Sequence, residues 1–204
     1  PMSSYGLENL LETAFCLCQR LYRQFAMSSG ILQNLPHQVL QAHIRFMQGR
    51  ISFDQGKLKE ASGSYTIALN LYRELSKDWE LHEANVLNEL GRLHMKLMLN
   101  DVALKHFGES LAIRRDCLGS DHEAVGKTLY HMADIYARMD QFGTSMQTYN
   151  ESLRIQLRAE GNESAAVAMT LLKMGALYAR HNLLNEALEK LHGSVRIRRD
   201  RAMR

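Results

Sequence analysis

Proline is almost absent from this chain of 204 residues, which has only Pro1 and Pro36. Proline removes an amide donor and clashes with the preceding helical turn, so beyond Pro36 nothing of that kind interrupts a helix. No stretch alternates apolar and polar residues over a useful length, which argues against strands. The three cysteines, Cys16, Cys18 and Cys117, are too few for a disulfide scaffold. On a helix Cys16 and Cys18 would point about 200° apart, which excludes joint metal chelation and an easy disulfide. Reduced thiols in a cytoplasmic protein are expected. No apolar run reaches the roughly 18 residues of a membrane-spanning helix, and no basic segment precedes an apolar one as in a secretory signal, so no membrane partner is expected. A net charge of +3 is too mild to imply nucleic acid. There is no Gly-rich phosphate loop, His-Glu-x-x-His, Cys-x-x-Cys or nucleophile elbow. The nine histidines are scattered, with no i,i+4 pair among them. These absences lead to an expectation of no enzyme, no metal and no cofactor.

What the chain does have is a period. Gly49, Gly91, Ala133 and Gly175 recur every 42 residues. Three further columns keep the step: Ala61, Ala103, Ser145 and Ala187; Tyr65, Phe107, Tyr149 and Leu191; Ala68, Ser110, Ser152 and Ser194. A fixed period of this size marks a solenoid, whose units bury their cores against their neighbours. Between the columns the apolar spacing is helical, as in Leu87, Leu90, Leu93 and Leu97, or Ala103, Leu104, Phe107 and Leu111. Small residues recur where two helices must approach closely.

Breakers order the units. An apolar stripe from Leu7 to Phe25 ends at Ser28-Ser29-Gly30 and does not fit the columns. We read residues 1–35 as an extra N-terminal helix, either a cap or a degenerate preceding repeat. Residues 36–204 are read as four repeats, at 36–79, 80–120, 121–162 and 163–204. Gly56, Asn100-Asp101, Asp140-Gln141 and Asn182 mark the turn inside each unit, and Gly119 and Gly161 close second helices. Asp121 is expected to cap the helix after it, and Asn162-Glu163-Ser164 reads as a turn with a capping residue rather than a glycosylation site. A start at Pro1 and a helical pattern running to Arg204 suggest a piece of a longer protein.

These columns resemble the tetratricopeptide repeat family, with its small residue at position eight, Ala at twenty, aromatic at twenty-four and small residue at twenty-seven. The longer period, Leu87-Asn88-Glu89-Leu90-Gly91 and Leu118-Gly-Ser-Asp-His122 are similar to the repeats of kinesin light chains. The resemblance covers about residues 37–204. It implies a right-handed α-solenoid of antiparallel helix pairs, and a scaffold whose first helices line a concave groove for an extended peptide or a partner helix.

Carried over by position, the groove would hold His43, Asn85, Lys127 and Met169; Phe46, Asn88, Tyr130 and Leu172; Met47, Glu89, His131 and Lys173; Arg50, Arg92, Asp134 and Ala176; and Asp54, Lys96, Arg138 and Arg180. Basic residues outnumber acidic ones there, so an acidic protein or peptide partner is expected. Charge reversal at Lys127 and Lys173 together is expected to abolish binding without affecting the fold. Two alternatives stand beside this: self-assembly through the solenoid ends, and nucleic-acid contact through Arg196, Arg198, Arg199, Arg201 and Arg204.

Overall fold

The computed structural model describes residues 37–203. The leading helix read at 7–25 lies outside them. The chain forms two compact units, Pro1–Gln41 and Ala42–Arg204. The helices are α1 (His37–Asp54), α2 (Leu58–Arg73), α3 (Glu80–Lys96), α4 (Asn100–Leu118), α5 (Glu123–Arg138), α6 (Phe142–Glu160), α7 (Ala165–Arg180) and α8 (Leu184–Ala202), with a turn of 3-10 helix at Lys77–Trp79. Among the described residues there is no strand. Each helix from α2 onward packs on its sequence neighbours, and the first helices α3, α5 and α7 also touch one another in series. This is the all-α solenoid of helix pairs that the period predicts.

The columns become contacts. A Cβ added at Gly91 would lie 2.7 Å from the Phe107 ring, one at Gly49 2.5 Å from Tyr65, and one at Gly175 2.7 Å from Leu191. Each small residue is therefore the floor on which the aromatic or leucine of its paired helix rests. The serine column has a second use. Ser110, Ser152 and Ser194 each donate a 2.7 Å hydrogen bond to the carbonyl oxygen of the residue 26 before, namely Ala84, Gly126 and Ala168. A buried hydroxyl needs such a partner, and here the bond clamps the helix pair. The core then runs from unit to unit: Tyr65 and Tyr72 pack with Leu87, Leu90 and Leu93, Leu111 with Val125 and Leu129, and Tyr149 with Met174 and Leu177.

The turns show a further column. Gly56, Met98, Asp140 and Asn182, again 42 apart, have φ of 77°, 62°, 59° and 60°. All four close a first helix in the same way. In the second unit the Leu99 amide reaches His94 O at 3.0 Å and the Met98 amide reaches Met95 O at 3.2 Å. Left-handed backbone suits Gly and Asn and costs a residue like methionine roughly 1–2 kcal/mol. The turn expected at Asn100-Asp101 thus lies two residues earlier, and Asn100 opens α4. Met98→Gly should raise unfolding stability by about 1 kcal/mol, since glycine relieves strain but gains freedom in the unfolded chain. A urea melt of the variant with an unchanged or lower midpoint would refute the strain.

At the helix starts one expectation holds and one does not. Ser164 Oγ accepts from the Val167 amide at 3.1 Å, so it caps α7. The cap of α5 is His122, whose Nδ1 accepts from the Ala124 amide at 3.1 Å, and not Asp121. Asp121 instead binds Arg154 at 2.7 Å and Arg158 at 2.6 Å on the outer surface. Two guanidinium groups outcompete one amide for the carboxylate, and they hold it below the usual carboxylate range.

Candidate peptide-binding groove

Because α3, α5 and α7 lie in series, their residues one helical turn apart line a shared wall. A cavity of about 470 Å³ opens in it. Of the residues expected in the groove, Asn88, Glu89, Arg92, Lys127, Tyr130, His131 and Met169 line this cavity. Asp134, Arg138 and Lys173 form a charged cluster in α5 and α7. His43, Phe46, Met47 and Arg50 stand on α1 and do not line it. Phe46 leans on Tyr65 with ring centroids 6.0 Å apart, so part of its face belongs to the core.

The charges are more engaged than their column suggested. Arg92 pairs with Glu89 at 2.7 Å and lies 5.3 Å over the Phe53 ring. Lys96 lies 5.0 Å over the same ring. Lys127 pairs with Glu123 one turn back. Arg138 donates to Met95 O at 3.2 Å and Arg180 to Ala137 O at 3.1 Å. These two arginines, 42 apart, each cover the C-terminal carbonyls of the preceding unit's first helix, where positive charge is favoured. Little of the groove's charge is therefore held without a protein partner.

Asp134 is the hub of its cluster. It is 8% exposed and accepts from Lys173 at 2.6 Å, Arg138 at 3.1 Å and Tyr149 at 3.4 Å. Burial pushes its carboxyl up, but Lys173 and Arg138 outweigh burial and hold it below the usual range. Breaking a largely buried ion pair is costly, because the remaining charge loses its partner. Lys173→Glu should therefore cost about 2 kcal/mol of stability, discounted for the partial exposure of Lys173, measured by chemical denaturation. Lys127→Glu, on an exposed pair, should cost under about 0.5 kcal/mol. Equal melting of the two variants would show that Asp134 does not depend on Lys173. The double reversal expected to leave the fold intact is therefore a poor control.

Tyr130 and His131 form the aromatic part of the wall. Tyr130 meets Tyr149 edge-on with ring centroids 6.0 Å apart, and burial raises its hydroxyl to about 12. The His131 ring stacks on Phe107 at 5.5 Å and 14°. Burial, helped by the Arg92 charge, lowers its imidazole to about 4, so the ring is neutral at pH 7.

Two cavity residues come from second helices and were not anticipated: Arg114 of α4 and Gln156 of α6. They are 42 apart, in a column with Tyr72 and Arg198 that lies four residues after the serine column. That register was readable; their reach between first helices was not. Arg114 is 7% exposed. It donates to Asn85 Oδ1 at 2.9 Å, Asn88 Oδ1 at 3.3 Å, Ala124 O at 3.0 Å and Thr128 Oγ1 at 2.6 Å. Gln156 bonds Ser152 at 3.1 Å and Thr170 at 2.8 Å. Asn88, expected to face a ligand, is itself buried at 8% exposure, and its amide oxygen already accepts from Arg114.

Residues 82–158 match the tetratricopeptide repeat family model. No curated protein matches the sequence. Among solved structures, the fold is similar to BtubC (BKLC) from P. vanneervenii, at 21% identity and a TM-score of 0.75, covering 93% of this chain and 74% of that one. It is similar to the apo form of RapI at 15% identity and a TM-score of 0.71, covering 95% of this chain and 51% of that one. It is also similar to the nearly identical TPR-like repeats of a putative kinesin light chain from Podosopora anserina, at 15% identity and a TM-score of 0.67, covering 95% of this chain and 90% of that one. Residues 82–158 therefore carry tetratricopeptide repeats, and the described residues share the helix-pair solenoid fold of these structures. It spans about half the length of RapI. Among the described residues no helix is long and apolar enough to cross a membrane.

Proposed function

We propose that this chain is a non-catalytic interaction module whose concave groove takes an extended acidic segment of a protein partner, or a partner helix, at the cavity between α3, α5 and α7. The observation that carries the reading is the cavity's lining: Arg92, Arg114 and Lys127 face it with the single carboxylate of Glu89, and after Arg92 pairs with Glu89 and Lys127 with Glu123 outside the lining, the charge of Arg114 is left over. A concave wall of that sign attracts acidic side chains and steers their approach. Tyr130 and Met169 supply apolar contact beside the charges. The other expected groove residues, from His43 to Lys173, extend the same wall on either side. The test is fluorescence polarisation with peptides of graded charge at low and moderate salt, with Lys127→Glu as the control that leaves the fold intact. Saturable binding of acidic peptides, weakened several-fold by Lys127→Glu and by salt, supports the reading. Absence of binding by every peptide removes it.

One observation favours self-assembly as a second reading. Val195 is 62% exposed, whereas Leu69 and Leu111 in the same column are 6% and 8% exposed, and Leu111 packs against the first helix of the following unit. Leu184 and Leu188 are exposed on the same helix. Sedimentation at several concentrations decides it: a monomer throughout removes this reading.

A further inference from the structure

We propose that Arg114 is the seat of one carboxylate of the bound segment, an Asp or Glu side chain or a chain terminus. This rests on the groove reading above and adds the residue that anchors the ligand, which comes from a second helix rather than from the first helices that line the wall.

Arg114 is buried, yet among the described residues it takes part in no ion pair. Its four acceptors, Asn85, Asn88, Ala124 O and Thr128, are all neutral. Glu89, the one acidic residue lining the cavity, is held by Arg92 at 2.7 Å. Neutral oxygens orient a guanidinium but do not cancel its charge, and a buried charge without a counter-ion is costly. A guanidinium has five N–H donors. Three of the four bonds fall on Nη1 and one on Nη2. Among the described residues no acceptor is found for Nε. The Nε–Nη2 edge is one that can grip a carboxylate with two parallel bonds.

The repeat itself indicates that packing does not require this charge. At the same position of the next unit Gln156 joins Ser152 to Thr170 with a neutral amide. At the same position of the first unit stands Tyr72, whose hydroxyl meets His43 at 3.5 Å. In the last unit Arg198 is exposed to water. Only Arg114 joins burial, full charge and an open cavity of about 470 Å³. A carboxylate matches the one cation of the cavity lining that, among the described residues, has no ion pair, Glu89 acting on it only through space while bound to Arg92. Any anion seated there faces Glu89 across the cavity, and a phosphate, with its larger negative charge, is repelled more strongly than a carboxylate.

The experiment uses the tightest-binding acidic peptide from the polarisation screen, with each Asp or Glu changed in turn to Asn or Gln. One position should lose at least about tenfold in affinity, in the range of a truncated buried charge pair. On Arg114→Gln protein that same change should cost under twofold. Asn85→Asp keeps the test valid if Arg114→Gln fails to fold. It places a carboxylate 2.9 Å from Nη2, satisfies Arg114 internally, and should raise the melting temperature while weakening the peptide at least tenfold. Gln147→Glu adds the same charge at an exposed position of α6 outside the groove and should weaken binding by no more than about threefold. If the key peptide carboxylate keeps its full penalty on both Arg114→Gln and Asn85→Asp proteins, the anchor is elsewhere and this proposal falls while the groove reading stands. If no acidic peptide binds the unaltered protein, the groove reading falls and takes this proposal with it.

Discussion

Gly91→Val should lose about 3 kcal/mol of stability, at the upper end of the cost of overpacking a core. The Cβ alone would lie 2.7 to 2.8 Å from three atoms of the Phe107 ring. Phe107 is fully buried and stacks on His131 of the next unit. It has no room to retreat without moving α5. Two further methyl groups would force α3 and α4 apart along the contact that holds the second unit together. Gly91→Ala is the informative contrast. The third unit has Ala133 at this position against Tyr149, so a single methyl is compatible with the pair, and its steric cost is offset by about 1 kcal/mol of helix propensity. Urea unfolding should rank the two variants clearly, with valine far worse. A valine variant with an unchanged midpoint would show that the glycine column is not a close-packing requirement.

Acid should destabilise the fold well before the carboxylates titrate. His131 is held at about 4 in the folded chain against an ordinary 6.5, by burial first and by the Arg92 charge second. Above pH 6.5 it is neutral in both states and its contribution is fully present. As pH falls, the unfolded chain takes up the proton first, so stability is lost between pH 6.5 and about 4. The loss reaches at most about 3.5 kcal/mol, from roughly 1.4 kcal/mol per unit over 6.5 minus 4. Burial lowers His43, His82 and His106 in the same direction, and they steepen the slope. Asp134 acts in a different window: its depressed carboxyl contributes above its unfolded value and is lost only as pH drops below about 4. His131→Phe keeps a ring over Phe107 and removes the titration. Stability curves at pH 7, 5.5 and 4.5 should flatten by about 2 kcal/mol in that variant. An unchanged slope would assign the acid sensitivity to the other histidines.

The fold was legible because a repeat states each rule several times. Gly49, Gly91 and Gly175 gave the close helix approach, Tyr65, Phe107 and Tyr149 gave what rests on it, and their common step gave the unit length. The serine column was legible as small residues, but its hydrogen bonds to Ala84, Gly126 and Ala168 were not, because a period does not say which carbonyl lies opposite. The left-handed turn was hidden at Met98 because the residue there does not favour it. Asp121 looked like a cap because cap preference is local, and it was drawn away by Arg154 and Arg158 from the neighbouring second helix.

The candidate site divides along the same line. The sequence by itself determined the repeat, its helices and the set of first-helix positions that can form one wall, because those follow from periodicity along a single chain. Only the tertiary structure decided what those side chains do. It commits Lys173 and Arg138 to Asp134 and sets Arg138 and Arg180 on the carbonyls of the preceding unit. It also buries Asn88 beneath Arg114, and it leaves Arg114 charged among neutral oxygens. The Arg138–Asp134 pair is four residues apart on one helix, but the contacts that link helices, Asn88 with Arg114, Lys173 with Asp134 and Arg180 with Ala137, join residues 26 to 43 apart, where charge, burial and reach compete and no local pattern records which one wins.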